Sequence, residues 1–88
     1  MDFSIIIPAF NEKDRLPKFL LSLVNDLNKI NLNGEIIIVD DGSRNQDYQS
    51  YLTLQKTENI PIVILRHQRN LGKGAAIQTG FKVAKGAW

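Results

Sequence analysis

The chain has 88 residues, room for one small domain. Its 43% hydrophobic and 23% charged content is that of a globular protein and excludes a disordered tail or a low-complexity segment. The 11 basic residues are scattered among 9 acidic ones, a net charge of +2 without the block of like charge that marks a nucleic-acid arm, and zero cysteines exclude disulfides, thiolate chemistry and cysteine-based zinc sites.

The sequence begins on a strand-like run, so no secretory signal is expected. Phe3–Ala9 reads as a buried strand, because Ile5, Ile6 and Ile7 are consecutive and β-branched and Pro8 closes the run. A helix follows, its apolar face spaced as Leu16, Phe19, Leu20, Leu23, Val24 and Leu27. Asp14 is expected to cap it, with Pro17 in the first turn. The longest apolar stretch, residues 19–24, is interrupted by Ser22 and is too short to span a bilayer. A cytoplasmic protein is expected, with any membrane anchor outside this chain.

Gly34 breaks the chain before a second strand over residues 35–40, whose unbroken Ile36, Ile37, Ile38 and Val39 call for cover on both faces. Gly42 and Ser43 turn it into a weaker helix with Tyr48, Tyr51, Leu52 and Gln55 on one side. Pro61 ends that connection, and residues 62–65 form the third strand. The polar loop 66–70 leads into a helix over residues 74–85, with Ile77, Gly80, Phe81 and Ala84 on its buried face. Lys82 and Lys85 fall in its last turn and Gly86 at its C′ position.

This β-α-β-α-β-α pattern, with right-handed crossovers, predicts an α/β fold: a three-layer arrangement with a parallel sheet of order 3-2-1 and flanking helices, half of a doubly wound Rossmann-like fold. Strand 1 then lies at an open edge that its composition does not suit. Trp88 follows Gly86 where a fourth strand would begin, so the natural protein is expected to continue and to cover strand 1.

Ligands of open parallel sheets bind beyond the carboxyl ends of the strands. Three segments fall there: 8–12 after strand 1, 40–43 after strand 2 and 69–74 after strand 3. Asp40 and Asp41 are adjacent at a strand end, so they point to opposite faces and one of them can face the crevice. A carboxylate there suits a base N–H, such as the imide of uracil or the N1/N2 edge of guanine. The alternative is a pair of turn-forming aspartates capping Gly42 and Ser43. Glu12 suits a ribose hydroxyl, or else the dipole of the helix that follows. Phe10 borders a base or belongs to the core. The third loop is Gly-rich and opens a helix, so its free N–H groups and Lys73 attract phosphate. It is not a P-loop, because Gly74 follows Lys73, nor a dinucleotide fingerprint, because Ile77 stands where the last glycine belongs.

Together the segments resemble family 2 glycosyltransferases of the GT-A fold. Ser4-Ile5-Ile6-Ile7-Pro8-Ala9-Phe10-Asn11-Glu12 is similar to the family's opening strand and loop. Glu35-Ile36-Ile37-Ile38-Val39-Asp40-Asp41-Gly42-Ser43 is similar to its second strand, and Arg69-Asn70-Leu71-Gly72-Lys73-Gly74-Ala75-Ala76 through Gly80-Phe81 to its third motif. The third motif looks most like the branch that makes polyprenyl-phosphate sugars, such as the dolichyl-phosphate mannose synthases.

The resemblance implies a UDP- or GDP-sugar donor and a lipid-phosphate or glycan acceptor, with membrane association through other parts of the protein. It places Pro8, Ala9, Phe10 and Val39 along base and ribose, Glu12 and Asp41 in hydrogen bonds to them, and Gly72 and Lys73 by the phosphates. Phe10 stands where many members have tyrosine, so a hydroxyl contact is lost. The family's Asp-x-Asp metal motif and its catalytic base are both absent, the last acidic residue being Glu58. The chain therefore reads as the single nucleotide-sugar-binding half, 1–88, with no catalytic residue of its own. The divalent cation, Mg²⁺ or Mn²⁺, is expected in the full-length enzyme and not in this fragment.

Two other readings fare worse. A receiver domain needs a phospho-acceptor Asp after a later strand, and no Asp follows Asp47. A dehydrogenase half needs the glycine fingerprint after strand 1. A non-catalytic α/β nucleotide-binding or interaction module is the alternative, and nucleotide titration separates the interaction module, which should ignore UDP and GDP.

Overall fold

The computed structural model describes residues 2–30, 32–56 and 60–86. Its elements run β1 (Phe3–Ala9), α1 (Arg15–Leu27), β2 (Gly34–Asp41), α2 (Asn45–Thr53), a 3₁₀ turn (Leu54–Lys56), β3 (Ile62–His67) and α3 (Lys73–Val83). The strands form one parallel sheet of order β1-β2-β3, the expected topology. Trp88, where a fourth strand was expected to begin, lies outside the described residues.

All eight residues of β2 are buried. Alternation sends Ile36 and Ile38 to one face, against Leu16, Leu20 and Val24 of α1 and Tyr51 of α2. Ile37 and Val39 go to the other face, against Ala76 of α3. The sheet is thus sandwiched between α1 and α2 on one side and α3 on the other, which explains why β2 carries no polar alternation.

β3 runs two residues further than the hydrophobic run implied, because Arg66 and His67 pair in register with Asp40 and Asp41. Arg66 lies level with Asp40 and His67 with Asp41, so polar side-chain pairs accompany the strand pairing where apolar burial stops.

α3 departs from expectation in its phase. Ala76 and Gly80 are its buried residues, whereas Ile77 and Phe81 are exposed. The reason is distance: a Cβ on Gly80 would sit 2.6 Å from Ile6 Cγ2 and 3.3 Å from Val39 Cγ2. Only small residues fit so close an approach, so the helix turns its Ala–Gly stripe to the sheet and its larger residues outward. The helix also stops at Val83, which leaves Lys85 beyond its last turn. Gly86 is not its C′ residue; a Cβ there would meet the Phe3 backbone at 2.4 Å.

Two expectations for α1 are also corrected. Phe19 is exposed, since the buried face narrows to Leu16, Leu20 and Val24. Asp14 makes no side-chain cap. The helix start is secured instead from α2, where the buried Asp47 accepts the Lys13 N–H at 3.0 Å and the Arg44 guanidinium at 2.9 Å.

Beyond α3 the chain returns to β1. Glu35 Oε2 accepts the Ser4 hydroxyl and the Lys85 N–H, each at 2.7 Å, while Ser4 Oγ accepts the Gly86 N–H at 2.8 Å. This knot is buried, with Ser4 and Glu35 both nearly inaccessible.

Candidate functional site

The loop after β1 is shaped by Asn11, whose φ of 52° lies in the left-handed region that Asn tolerates better than most residues. Its N–H donates to Ser43 Oγ and its Oδ1 accepts the Arg44 N–H, both at 2.9 Å. The next N–H, of Glu12, donates to the buried Tyr51 hydroxyl at 2.7 Å. Burial raises the Tyr51 pKa, keeping the phenol neutral and able to accept. The first loop is therefore pinned to the turn after β2 and to α2.

That turn depends on Gly42, at φ 75°. A Cβ there would lie 2.3 Å from the Arg69 carbonyl carbon and 2.4 Å from the Asn70 nitrogen, so the loop after β3 crosses directly over it. All three loops meet above the carboxyl ends of the strands, as the fold requires.

The adjacent aspartates part company here. Asp40 turns to the α2 side: its Oδ1 accepts the Ser43 N–H at 2.9 Å, and its Oδ2 lies 3.3 Å from Arg66 Nε in an ion pair that lacks hydrogen-bond geometry. Arg66 in turn stacks over the Tyr48 ring, 4.0 Å from its centre. Asp41 turns to the α3 side. Its Oδ1 accepts the Leu71 N–H at 2.8 Å and lies 2.9 Å from His67 Nδ1, and its Oδ2 accepts the Gly72 N–H at 2.9 Å. Burial pushes the Asp41 pKa up, but the His67 ring and the two N–H groups outweigh it and hold the carboxyl below its ordinary value.

Between the loops opens a cavity of about 410 Å³. Pro8 and Ala9 line it from the end of β1, Phe10 and Glu12 from the first loop, Asp41 from β2, and Gly72 and Lys73 from the start of α3. Phe10 is about half exposed and belongs to the wall, not the core. Val39 is not brought to the cavity. It is fully buried under α3, because the side chain at this position alternates into the Ala76–Gly80 face. Arg15 and Asn70 also line the cavity, and Arg15 is ion-paired with Glu12. The walls thus offer two cations, two carboxylates, one aromatic face and the N–H groups that open α3.

Arg15 was signalled by its i,i+3 spacing from Glu12, whose side chain it pairs with at the cavity wall. His67 had a usable signal: it ends β3 level with Asp41 once the strands are set in register. Among the described residues no group of three His, Asp or Glu side chains is placed to hold a metal ion. Asp41 is already committed to three donors and Glu12 to Arg15, so these residues do not fit a cation cage.

A family model described as glycosyl transferase family 2 matches residues 4–88. The chain belongs to that family. Among curated glycosyltransferases it is 39% identical over 89 residues to the dolichyl-phosphate beta-glucosyltransferase ALG5D of Trichomonas vaginalis, covering 94% of this chain and 27% of that protein. It is 37% identical over 83 residues to the undecaprenyl-phosphate 4-deoxy-4-formamido-L-arabinose transferase of Pseudomonas fluorescens, covering 94% and 24%. Both relatives are named for a polyprenyl-phosphate acceptor, with glucose or a formamido-arabinose as the sugar rather than mannose. The crystal structure of S. aureus TarS 1-349 superposes with a TM-score of 0.71 at 27% identity, over 98% of this chain and 25% of that one. This family 2 chain, with the N-terminal α/β architecture of the GT-A fold, spans about a quarter of the length of the relatives it matches.

Proposed function

We propose that this chain supplies the donor-binding part of a glycosyltransferase that moves a sugar from a nucleotide diphosphate to a polyprenyl phosphate. The observation that carries the reading is the convergence of the Pro8–Glu12 loop, Asp41 and the Gly72–Lys73 helix start on one cavity. Phe10 and Pro8 offer apolar surface to a base. Asp41 Oδ2, with one N–H donor already bound, keeps a lone pair for a base N–H. Glu12 is placed for a ribose hydroxyl once that hydroxyl replaces Arg15. Lys73 and the N–H groups at the start of α3 suit the diphosphate.

In this reading the donor diphosphate departs as an acceptor phosphate oxygen attacks the anomeric carbon. A divalent cation, when bound, would neutralise the leaving diphosphate, and its ligands would be groups other than those described here. The acceptor is a lipid, so the reading includes a peripheral position at the cytoplasmic face of a membrane. No described helix is long and apolar enough to cross one.

The test is calorimetric titration of the chain with UDP, GDP, UDP-glucose and GDP-mannose. Saturable one-to-one binding of at least one nucleotide, lost in Lys73→Ala or Glu12→Ala, is the expected result. A folded chain that ignores all four would be an interaction module instead.

A further inference from the structure

We infer that His67 is a positioning residue for this cavity: it holds the Asp41 carboxylate in place and, when its ring is charged, cancels that carboxylate's charge. The functional consequence rests on the nucleotide reading above. The two residues face each other in register at the ends of β2 and β3, with only 9% and 5% of their side chains exposed.

The partners of its two ring nitrogens give His67 its role. An ionised carboxylate only accepts, so Nδ1, 2.9 Å from Asp41 Oδ1, carries a proton. On the other side Nε2 lies 2.7 Å from Thr79 Oγ1, and that hydroxyl is also 3.0 Å from the Ala75 carbonyl oxygen. A hydroxyl has one proton to give. When Thr79 donates to Ala75, Nε2 must donate to Thr79 and the ring is an imidazolium. When Thr79 turns its proton to Nε2, the ring is neutral. Both states keep the same heavy-atom positions, so proton uptake asks only for the rotation of one hydroxyl.

The charged surroundings are few. From β2 the ring meets Asp41, while Asp40 turns to the opposite face with Arg66. From α3 it meets the uncharged Thr79. The loop between β3 and α3 gives the N–H groups of Leu71 and Gly72 to Asp41, with Lys73 next on the cavity wall. A charged ring leaves the Asp41–His67 pair neutral and lets Lys73 act on an anion. A neutral ring leaves one negative charge at the wall, which repels a diphosphate. Anion binding therefore takes up a proton, and affinity falls as pH rises and the ring discharges.

The chain has one histidine, so its ring nitrogens can be followed by NMR without overlap. Ring titration is compared between the wild type and Asp41→Asn. Affinities for UDP-glucose and GDP-mannose, whose diphosphate diesters keep a constant charge here, are compared at about pH 5.5 and about pH 8. The wild type should bind on the order of five- to tenfold more tightly at the lower pH. His67→Asn, whose Nδ2 keeps the donor to Asp41 but takes no charge, should fold and lose that slope. His67→Ala should bind more weakly than His67→Asn at either pH. A wild type that binds with flat affinity, a slope that survives in His67→Asn, or a ring titration indifferent to Asp41→Asn each overturns the inference. A wild type that binds neither probe, although its ring responds to Asp41→Asn, refutes the nucleotide reading and this role with it.

Discussion

The Tyr51 hydroxyl, buried in the core of one face of the sheet, accepts the backbone N–H of Glu12 at 2.7 Å and so ties a cavity loop to the packing of α2. Tyr51→Phe keeps the ring and removes only that acceptor. The part-buried N–H is left unpaired, at a cost of up to about 1–3 kcal/mol. Denaturant unfolding should show this loss with an unchanged m-value, and nucleotide affinity should fall because the loop is released. Unchanged stability would mean that Ser43 or water takes over the Glu12 N–H.

Asp41→Ala should lower both binding and stability, whereas Asp40→Ala should lower stability alone. Asp41→Ala removes the acceptor for the Leu71 and Gly72 N–H groups and the wall carboxylate together. Losing a charge-assisted bond to a base N–H costs about 1.5–3 kcal/mol, or roughly ten- to a hundredfold in affinity. Asp40→Ala should lower the melting temperature while the folded protein still binds, because its partners Ser43 and Arg66 lie away from the cavity. Calorimetry beside a thermal melt reads both. A folded Asp40→Ala that fails to bind, with Asp41→Ala binding normally, would reverse the assignment.

Gly80→Ala tests the close approach of α3. The new methyl meets Ile6 Cγ2 at 2.6 Å, an overpacking cost of about 1–3 kcal/mol against a helix-propensity gain of up to about 1 kcal/mol. The substitution should therefore be net destabilising in urea. In an Ile6→Ala background the same change should cost less or become favourable. Equal costs in both backgrounds would remove Ile6 as the obstacle.

Three carboxyls should govern acid unfolding. Glu35 is held below its ordinary 4.5 by the Ser4 hydroxyl first and then the Lys85 N–H. Asp41 and Asp47 are held below 3.8, burial being outweighed by the hydrogen bonds they accept. Folded values that are depressed give stability that is complete above the ordinary values and disappears as pH falls through the folded ones. Melting temperature should be level near neutrality and drop once pH passes below 4.5. Glu35→Gln should melt lower at neutral pH and decline less steeply on acidification; an identical profile would show that the Ser4–Lys85 knot contributes nothing.

The parallel sheet and its order were legible because β2 is a run of β-branched residues between two glycines, a pattern with little other use. The cavity was legible through the strand ends that carry Pro8 and Asp41 and through the Gly-rich start of α3 at Gly72. What could not be read were contacts made across elements. Nothing local in the α3 sequence says that Gly80 will meet Ile6, so the larger Ile77 and Phe81 read as its buried face. Asp14 looks like a cap because the true partner, Asp47, is 34 residues from the Lys13 N–H it holds. The family resemblance implies a place for Val39 beside the base, but its side chain alternates away from the cavity.

The knot at the foot of β1 also has a consequence in time. Ser4 and Gly86 are 82 residues apart, yet their bond helps close the outer strand. At roughly 5–20 residues per second of synthesis, Ser4 waits about 4–16 s for Gly86 to be made. Until residue 86 arrives β1 is an apolar segment with its lock open, and the nascent chain is exposed to chaperone capture or mispairing there.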